Sequence, residues 1–323
     1  MRSESKRNDA LKWKARRLAG VTLLLALAFG LLVLTLAPLA LRAQQGGEKT
    51  FDSPGAAAVA AYDAAKGGDG ASLSGIFGAQ AKTLLHTGDD VADKNALRTF
   101  VYLYDQMHRV VIEPDQSATL YLGPQNWPFP IPMAKNSSDR WHFDAASGVK
   151  EVLYRRIGNN ELGAIDTCLA LVDAQREYFA ARPDDDKTPH YAAKLLSDPG
   201  QRDGLYWQSS DNDSPIGLAL AQATSEGYSF QTGKAVPFHG YYFKLLTKQG
   251  ESAKGGARDY MVNGKLTRGF ALVAWPAEYR NSGVMTFMVN ESGIVYQKDL
   301  GPETAKTAAA IAEYDPGPEW TKA

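Results

Sequence analysis

The sequence predicts an α+β protein: an N-terminal signal or anchor segment, then a cone-like domain of helices and antiparallel sheet, and then a domain in which a long helix packs on an antiparallel sheet. In each domain the segments with helical periodicity come first and the strand-like segments follow, which is the order of an α+β fold. Turn residues separate the strand-like segments at short intervals, as in antiparallel meanders. The composition, 44% hydrophobic and 22% charged, excludes a wholly disordered, collagen-like or polytopic membrane protein.

Residues 1–43 are predicted to be a signal peptide or a membrane anchor. Seven Lys or Arg residues lie in the first 17 positions, and an uncharged apolar run of 24 residues, 18–41, follows them. A basic flank before such a run is typical of export with the N-terminus left in the cytoplasm, and the run is long enough to cross a bilayer as a helix. The sequence leaves cleavage and anchoring open. The predicted location is therefore periplasmic or extracytoplasmic, with anchoring in the membrane through residues 18–41 if they are not removed.

The chain beyond residue 43 is acidic. Its 280 residues hold 27 basic and 34 acidic side chains, a net charge of −7. This balance argues against nucleic acid as a partner, because nucleic-acid binding needs a basic face. The one cysteine, Cys168, excludes an internal disulfide. It lies on an apolar helical stripe, which predicts a buried and unreactive thiol.

Residues 44–50 are a predicted polar tether, and residues 51–146 are predicted to form the cone-like domain. Ser53 and Pro54 are typical of a helix start, and the Ala-rich helix that they begin is expected to end at Gly67. The elements expected after it are two short helices, a longer helix from Asp89, and strands at residues 109–113, 118–123, 129–134 and 140–144.

Residues 147–323 are predicted to form the second domain. A long helix is expected over 149–181, interrupted or bent at Gly158, and Ser214 is expected to cap another helix. Order is expected to end at residues 315–318. The remaining elements are four strands and a last helix, expected at residues 240–247, 269–275, 284–290, 294–298 and 302–312.

Three features of the first domain suggest a known architecture. They are Ser53-Pro54 before an Ala-rich helix, small helices that end at Phe77-Gly78, and a closing strand over Arg140–Asp144. Together they resemble the cone-shaped, cystatin-like fold of the nuclear-transport-factor-2 superfamily over about residues 51–146. That resemblance implies either an enzyme pocket or an interaction module, because the fold does not set the function.

Seven segments spread over nearly the whole exported part suggest a family. They are Trp127–Pro132, Arg155–Glu161, Asp173–Tyr178, Asp203–Trp207, Gly269–Pro276, Ser282–Phe287 and Val295–Gly301. In combination they resemble a bacterial family known as domain of unknown function 2950. The resemblance implies an exported bacterial protein, and it brings no activity or catalytic residues.

The second domain also has features of another group. They are Asn160–Ile165, Ala174-Gln175, Tyr178, Tyr191-Ala192, Gly227–Phe230, Ser282-Gly283, Phe287 and Ser292–Ile294. They are similar to the globular region of type IV pilin-like and pseudopilin proteins, in which a spine helix packs on an antiparallel sheet. In pilins the membrane segment continues directly into that helix. Here the whole first domain separates Leu41 from Val149, which argues against polymerisation by the pilin route.

The sequence predicts no metal site and no cofactor. The five histidines lack metal-ligand spacing. Asp211-Asn-Asp213 is similar to part of a calcium loop but lacks the glycine and the distal glutamate, and a polar loop ahead of Ser214 explains it equally well.

One set of motifs suggests an enzyme. Ser147–Lys150, Ser210–Asn212 and Lys254–Gly256 follow the order of the three motifs of penicillin-binding proteins and serine β-lactamases. Lys150 would activate Ser147 one helical turn away, and Ser210, Asn212 and Lys254 would assist. The third motif should read Lys-Thr/Ser-Gly, and the large helical domain of those enzymes is not visible. A periplasmic serine hydrolase is therefore an alternative interpretation.

Aromatic residues are the predicted binding residues. Trp127 and Phe129 lie in a segment with three prolines, which predicts an edge or a loop. The other four, Trp207, Tyr241, Tyr242 and Trp275, lie in segments bounded by Gly or Pro. Such residues would suit a peptide, a glycan or the contact between the domains, and the contact is favoured because large aromatic side chains are usually buried.

The sequence therefore predicts an exported envelope protein that acts as a non-catalytic binding or assembly module, with an envelope protein or a glycan as its partner. The alternatives are the serine hydrolase and a small-ligand carrier that uses the cone. An enclosed apolar cavity in the cone above ~300 Å³ would favour the carrier.

Overall fold

The structure is a computed structural model that describes residues 48–184, 187–208, 213–231 and 235–323. Residues 48–323 form one compact unit. The predicted signal or anchor segment and most of the tether lie outside the described residues. Within those ranges, no helix combines the length and the apolar character needed to cross a membrane.

Helices precede strands in the first half of this unit, in agreement with the predicted α+β class. The helices are α1 (Pro54–Gly67), α2 (Gly70–Phe77), α3 (Ala81–Leu85) and α4 (Asp90–Gln106). The strands are β1 (His108–Ile112), β2 (Ala118–Leu122), β3 (Trp127–Pro128), β4 (Met133–Lys135) and β5 (Trp141–Phe143).

Short polar side chains begin three of these helices. The hydroxyl of Ser53 accepts a hydrogen bond from the Ala56 amide at 3.1 Å, and Gly68 ends α1 with φ at +66°, in agreement with the predicted bounds. Asp69 and Asp89 cap α2 and α4 in the same way. Each cap satisfies amides that the first helical turn leaves without a partner, so residues next to the helix set its start.

The first sheet is antiparallel, with the strand order β1-β2-β4-β5 and with β3 also paired to β2. Helices α1, α2 and α4 pack on this sheet, and Leu120, Met133 and Phe143 are completely buried in this core. The strand expected at residues 129–134 is shorter than predicted, because only Met133–Lys135 joins the ladder. Prolines at positions 128, 130 and 132 have no amide hydrogen to donate to a neighbouring strand.

Helix α5 (Ala145–Ala181) is one continuous helix of 37 residues, which differs from the prediction in its start and in the absence of an interruption. It begins before residue 149 because the Asp144 carboxylate accepts from the Ser147 amide at 3.0 Å and caps it. It also passes through Gly158 without interruption. A glycine inside a helix lowers helix stability by only about 1 kcal/mol relative to alanine. Helix α5 packs on one hydrophobic core before this position and on the other core after it.

Two hydrophobic cores share this helix. One core lies between Phe51 and Ala145, and Val152 of α5 packs against it. The other lies between Ala164 and Tyr314 and includes the C-terminal part of α5. The predicted boundary between residues 146 and 147 falls inside the first turn of α5, and the division into the domains 51–146 and 147–323 stays a prediction.

The second half contains a long series of short elements. They are β6 (Lys194–Leu196), β7 (Gly204–Tyr206), α6 (Gly217–Ser225), β8 (Tyr241–Leu246), β9 (Lys248–Gln249), β10 (Arg258–Asp259), β11 (Met261–Val262), β12 (Lys265–Leu266), β13 (Ala271–Pro276), β14 (Met285–Asn290), β15 (Tyr296–Asp299), α7 (Thr304–Ala310) and β16 (Thr321–Lys322). The main sheet is antiparallel, with the order β16-β15-β14-β13-β8, and α5 packs on β13 and β14. All four strands expected in this sheet are present.

Three other predictions for the second half were wrong. Helix α6 begins at Gly217 without a side-chain cap, and the Ser214 hydroxyl makes no hydrogen bond within the described chain. The last helix spans Thr304–Ala310, shorter than the expected 302–312. The chain also stays ordered beyond residue 318, because β16 pairs with β15 and Trp320 packs on the second core.

Arg156 of α5 joins the two halves. Its guanidinium donates to the carbonyls of Thr83 and Leu84 at 2.9 and 2.7 Å and to Asn281 Oδ1 at 2.5 Å. Asn281 in turn donates to the His86 carbonyl at 2.6 Å. One side chain therefore ties α3 and the loop between β13 and β14 to the same helix.

We expect Arg156→Ala to lower the free energy of unfolding by about 2–3 kcal/mol, because the three oxygen atoms lose charged donors in a partly buried site. The matched control is Arg155→Ala. Arg155 makes a more exposed pair with Glu151 one turn away, at 2.7 Å, and such a pair contributes only about 0.5 kcal/mol. Urea unfolding of both variants measures the difference, and equal losses would contradict the proposed junction role.

Candidate functional site

The structure does not bring the six predicted aromatic binding residues together. Trp127 is 40% exposed on β3, where the Arg155 guanidinium lies 5.2 Å from its ring centre. Phe129 packs against Phe100 and Phe143 in the first core. The other four lie in the second half, so no single surface contains the set.

Three of those four residues pack inside the second half. Tyr241 is completely buried and donates its hydroxyl to the Met285 carbonyl at 3.0 Å. Tyr242 and Trp275 pack on each other with ring centres 5.7 Å apart. Their roles are in packing. Trp207 also belongs to the second core and is 7% exposed, but one part of it lines a cleft.

Ser147 and Lys150 do not form a catalytic pair. The Ser147 hydroxyl donates to Asp144 Oδ2 at 2.6 Å, inside the cap of α5, and no hydrogen bond joins it to Lys150. Lys254 lies in a turn where its carbonyl accepts from Gln249 at 3.1 Å, next to the second core. Ser210 and Asn212 lie outside the described residues. The described geometry therefore gives the serine-hydrolase alternative no support.

The interior of the predicted cone is filled by side chains. Leu120, Leu122, Met133 and Phe143 meet across the first sheet and are buried, with Ile76 of α2 among them. The two clefts described below both lie in the second half.

The larger cleft has a volume of about 790 Å³ and lies between the β6–β7 pair and the segment that follows α6. We name it the β7–α6 cleft. Its lining is Leu196, Ser197, Asp198, Pro199, Gly200, Gln201, Arg202, Tyr206, Trp207, Gln208, Leu220, Thr224, Tyr228, Ser229, Phe230 and Gln231. This volume is within the range of ordinary small-molecule sites, roughly 300–1,000 Å³.

A braced loop forms one wall of the cleft. Strands β6 and β7 are parallel, and the loop between them is held by Lys194, which donates to Asp198 at 2.5 Å and to Asp203 at 2.6 Å. These hydrogen bonds raise the pKa of Lys194. Gly204 has no room for a Cβ, which would lie 2.6 Å from the Ser197 amide nitrogen. The loop backbone is therefore held in place before any ligand arrives.

Trp207 and Arg202 form the end of this wall. The Trp207 indole donates to Asp213 Oδ1 at 2.9 Å, and Arg202 pairs with the other oxygen of Asp213 at 3.3 Å. The Arg202 guanidinium lies 5.3 Å from the centre of the Trp207 ring. Tyr178 of α5 donates to the Arg202 carbonyl at 2.7 Å, which connects the wall to the core.

The opposite wall follows α6 and is connected to the junction between the halves. Tyr228 stacks with Phe230 at a ring-centre distance of 6.0 Å and donates its hydroxyl to Asp89 Oδ2 at 2.9 Å. Burial is the main cause that raises the pKa of Tyr228 well above its ordinary range, so the hydroxyl stays protonated and acts as a donor. Leu220 and Thr224 of α6 complete this wall.

A second, smaller groove of about 490 Å³ lies where α7 and the C-terminal residues cross the main sheet. Met288, Leu300, Ile311 and Trp320 supply its apolar part. It has fewer polar groups than the β7–α6 cleft, and we take the larger cleft as the candidate site.

Three of the five histidines face carboxylates. His142 is 3.1 Å from Glu48, His190 is 3.1 Å from Asp184, and His239 is 3.2 Å from Glu226. In the part of the chain that the structure describes, no group of three or more His, Cys, Asp or Glu residues is arranged to hold a metal ion. Most of the calcium-like segment 211–213 lies outside that part.

Cys168 is completely buried in α5, and burial raises the pKa of its thiol to about 12. Since the thiolate is the reactive form, we expect no labelling by a maleimide at pH 8 in the folded protein and complete labelling in 6 M guanidinium. Mass spectrometry of both samples measures this. Rapid labelling of the folded protein would contradict the predicted inert thiol.

Sequence reasoning found Trp207 but not the other residues of the cleft. Tyr206 lies in Asp203–Trp207, and Tyr228 and Phe230 lie in Gly227–Phe230, both of which carried a resemblance. Both segments could therefore be recognised in the sequence. They face each other only because α6 and its flanking chain bring them together.

Comparisons with known proteins give one match. A family profile described as "Protein of unknown function (DUF2950)" matches residues 48–323, which is the whole described part of the chain. No curated protein and no solved structure is significantly similar. The resemblance to the cone-shaped and pilin-like folds is accordingly not supported by any solved structure and stays a prediction.

Proposed function

The chain belongs to the DUF2950 family, a family of unknown function, and we propose that it is an exported, envelope-associated protein that binds a polar ligand without transforming it. The β7–α6 cleft is the observation that carries this proposal. It combines a braced wall, aromatic rings and uncharged polar side chains, which is the composition of a site that holds and orients a ligand.

The proposal of export rests on residues 1–43, whose basic flank and apolar run are typical of a signal or anchor. Placed outside the cytoplasm, the cleft would meet the glycans and peptides of the envelope. The partner would then be a soluble glycan or peptide fragment, or the same chemistry displayed on an envelope polymer.

The first experiment tests binding. The full-length chain, purified in mild detergent, is titrated with a soluble digest of bacterial cell wall, and its tryptophan fluorescence is followed. We expect a saturable change that Trp207→Phe reduces, because Trp207 is the tryptophan of the cleft lining. Mass spectra of the digest before and after incubation should be identical. Turnover of a fragment, abolished by a single substitution, would overturn the non-catalytic role.

The second experiment tests location. A fusion of alkaline phosphatase to the C-terminus should be active in a bacterial host, because that enzyme folds only where disulfides form. The mass of the purified chain gives the mature N-terminus and separates cleavage near residue 43 from anchoring. An inactive fusion that is present at normal levels would contradict export.

A further inference from the structure

Each described charged group in the lining of the β7–α6 cleft is already paired with a residue outside the lining. Among the described residues, two charged side chains line it, Asp198 and Arg202. Asp198 accepts from Lys194 at 2.5 Å, and Arg202 pairs with Asp213 at 3.3 Å. An ionic ligand would find no unpaired charge among these groups and would have to compete with one of the two pairs, which are nearly half exposed and therefore weak.

Uncharged polar side chains remain for a ligand to use. Gln201, Gln208 and Gln231 line the cleft, are exposed, and make no side-chain hydrogen bond within the described chain. The Ser229 hydroxyl is likewise exposed. Each glutamine amide offers two donors and a carbonyl acceptor, and the serine hydroxyl offers one donor and can also accept. Such groups match a ligand whose own groups are hydroxyls and amides.

Aromatic rings supply the apolar part of the lining. Tyr206 lies on the loop wall, and Phe230 lies on the opposite wall, where it stacks with Tyr228; both are half-buried. A sugar ring has an apolar face of C–H groups and a rim of hydroxyls. Flat aromatic surface combined with neutral amides is therefore complementary to sugar rings.

From these three observations we propose that the ligand of the β7–α6 cleft is a neutral glycan, a short run of uncharged sugar residues. This inference rests on the binding function proposed above and narrows it. Rings of the glycan stack on Tyr206 and Phe230, and the glutamine amides bind its hydroxyl or acetamido groups. Lys194 and Arg202 stabilise the loop wall through their ion pairs, and neither makes an ion pair with the ligand.

The test uses the full-length chain and defined probes in calorimetric titrations. The neutral probes are hexamers of N-acetylglucosamine and of glucose. The competing probes are an oligogalacturonate, which is anionic, a chitosan oligomer, which is cationic, and an alanine-glycine peptide. We expect saturable binding of at least one neutral hexamer, with a dissociation constant that changes less than about twofold between 50 and 500 mM salt, because salt screens only charged contacts.

Matched variants locate the binding. Gln201→Ala and Phe230→Ala should each weaken binding of the neutral hexamer about tenfold, the effect of one lost hydrogen bond or stacking contact. The control is Gln222→Ala, an exposed glutamine of α6 that lies outside the cleft lining. It should leave the affinity unchanged. Thermal unfolding of each variant shows whether the fold is kept, and Gln201, being exposed, provides the decisive variant if Phe230→Ala unfolds.

The outcomes separate the two proposals. Binding of only a charged oligomer or only the peptide would overturn the neutral glycan and leave the binding function standing. The same holds if the cell-wall digest binds and neither neutral hexamer does. If neither the digest nor any probe binds, both proposals fail. If Gln222→Ala weakens hexamer binding as much as Gln201→Ala, the cleft is not the site.

Discussion

Replacement of Asp89 by alanine is expected to lower the free energy of unfolding by about 3–5 kcal/mol. Asp89 is 1% exposed, and Oδ1 accepts from the amides of Val91 and Ala92 to cap α4. Oδ2 accepts from the Tyr228 hydroxyl and the Gly240 amide, both at 2.9 Å, in the other half of the protein. Loss of the cap costs about 1 kcal/mol, and each buried donor left without an acceptor costs about 1–3 kcal/mol. Urea unfolding monitored by tryptophan fluorescence measures the change.

The matched control for this prediction is Asp69→Ala. Asp69 caps α2 through the Ser72 amide at 3.0 Å, but it is exposed and its side-chain hydrogen bonds go to Ser72 alone. Its replacement should have a much smaller effect. Asp89→Asn should be intermediate, because an amide has one oxygen and can serve the cap or the partners across the junction, but not both. If Asp69→Ala and Asp89→Ala destabilise equally, the contact across the junction contributes nothing.

Gly283→Ala is expected to be the other strongly destabilising change, with a loss of about 3 kcal/mol. A Cβ at position 283 would lie 2.6 Å from Cζ of Tyr241 and closer still to its hydroxyl. Tyr241 cannot move aside easily, because it is completely buried and donates to the Met285 carbonyl at 3.0 Å. Overpacking of a core costs about 1–3 kcal/mol, and loss of this hydrogen bond adds about 1 kcal/mol.

Gly163→Ala is the control for the effect of adding a methyl group. Position 163 lies inside α5, and a Cβ there would meet nothing within 4 Å. Alanine favours a helix over glycine, so we expect this variant to gain up to about 1 kcal/mol. The two glycine variants should therefore shift the urea midpoint in opposite directions. If Gly283→Ala left the free energy of unfolding unchanged, the loop before β14 would have relaxed to admit the methyl group. The claim that close packing on Tyr241 requires glycine at position 283 would then be wrong.

Asp89→Ala and Gly283→Ala change the contact between the halves or the main sheet beside it. Two of the segments that resemble the family lie in the same region. Arg155–Glu161 supplies Arg156 of the junction and Glu161, whose carboxylate accepts from the amides of Val284 and Met285 at 2.9 and 3.0 Å. Ser282–Phe287 supplies Gly283 and the start of β14. We infer that these two segments serve the fold directly, since their polar side chains are used in internal hydrogen bonds.

Several elements were predictable from the sequence because the deciding residues are neighbours in the chain. Ser53, Pro54 and Gly68 set the ends of α1 through one hydroxyl, one ring and one positive φ angle. Apolar segments bounded by turns predicted the four strands that became β8, β13, β14 and β15. The same reasoning failed at Ser214, because a serine before a proline has the composition of a cap while its hydroxyl makes no hydrogen bond within the described chain.

The candidate site was predictable only in part. Trp207 was singled out as an aromatic residue that could bind, and it lines the cleft although it also belongs to the second core; Tyr241, Tyr242 and Trp275 were chosen by the same criterion and pack in that core without lining the cleft. Nothing in a local pattern distinguishes an aromatic side chain in a cleft from one in a core. That distinction depends on what lies opposite the ring.

Signals between neighbouring residues thus decided the α+β class, most helix ends and the principal strands, and a combination of short segments identified the family. Packing between distant residues decided the continuity of α5 through Gly158, the role of Asp89 at the junction and the two facing walls of the β7–α6 cleft. The physical reason is one of range. Caps, turns and periodicity act over a few residues, whereas buried hydrogen bonds, close contacts and clefts exist only after segments that are further apart in the chain have met, 151 positions apart for Asp89 and Gly240.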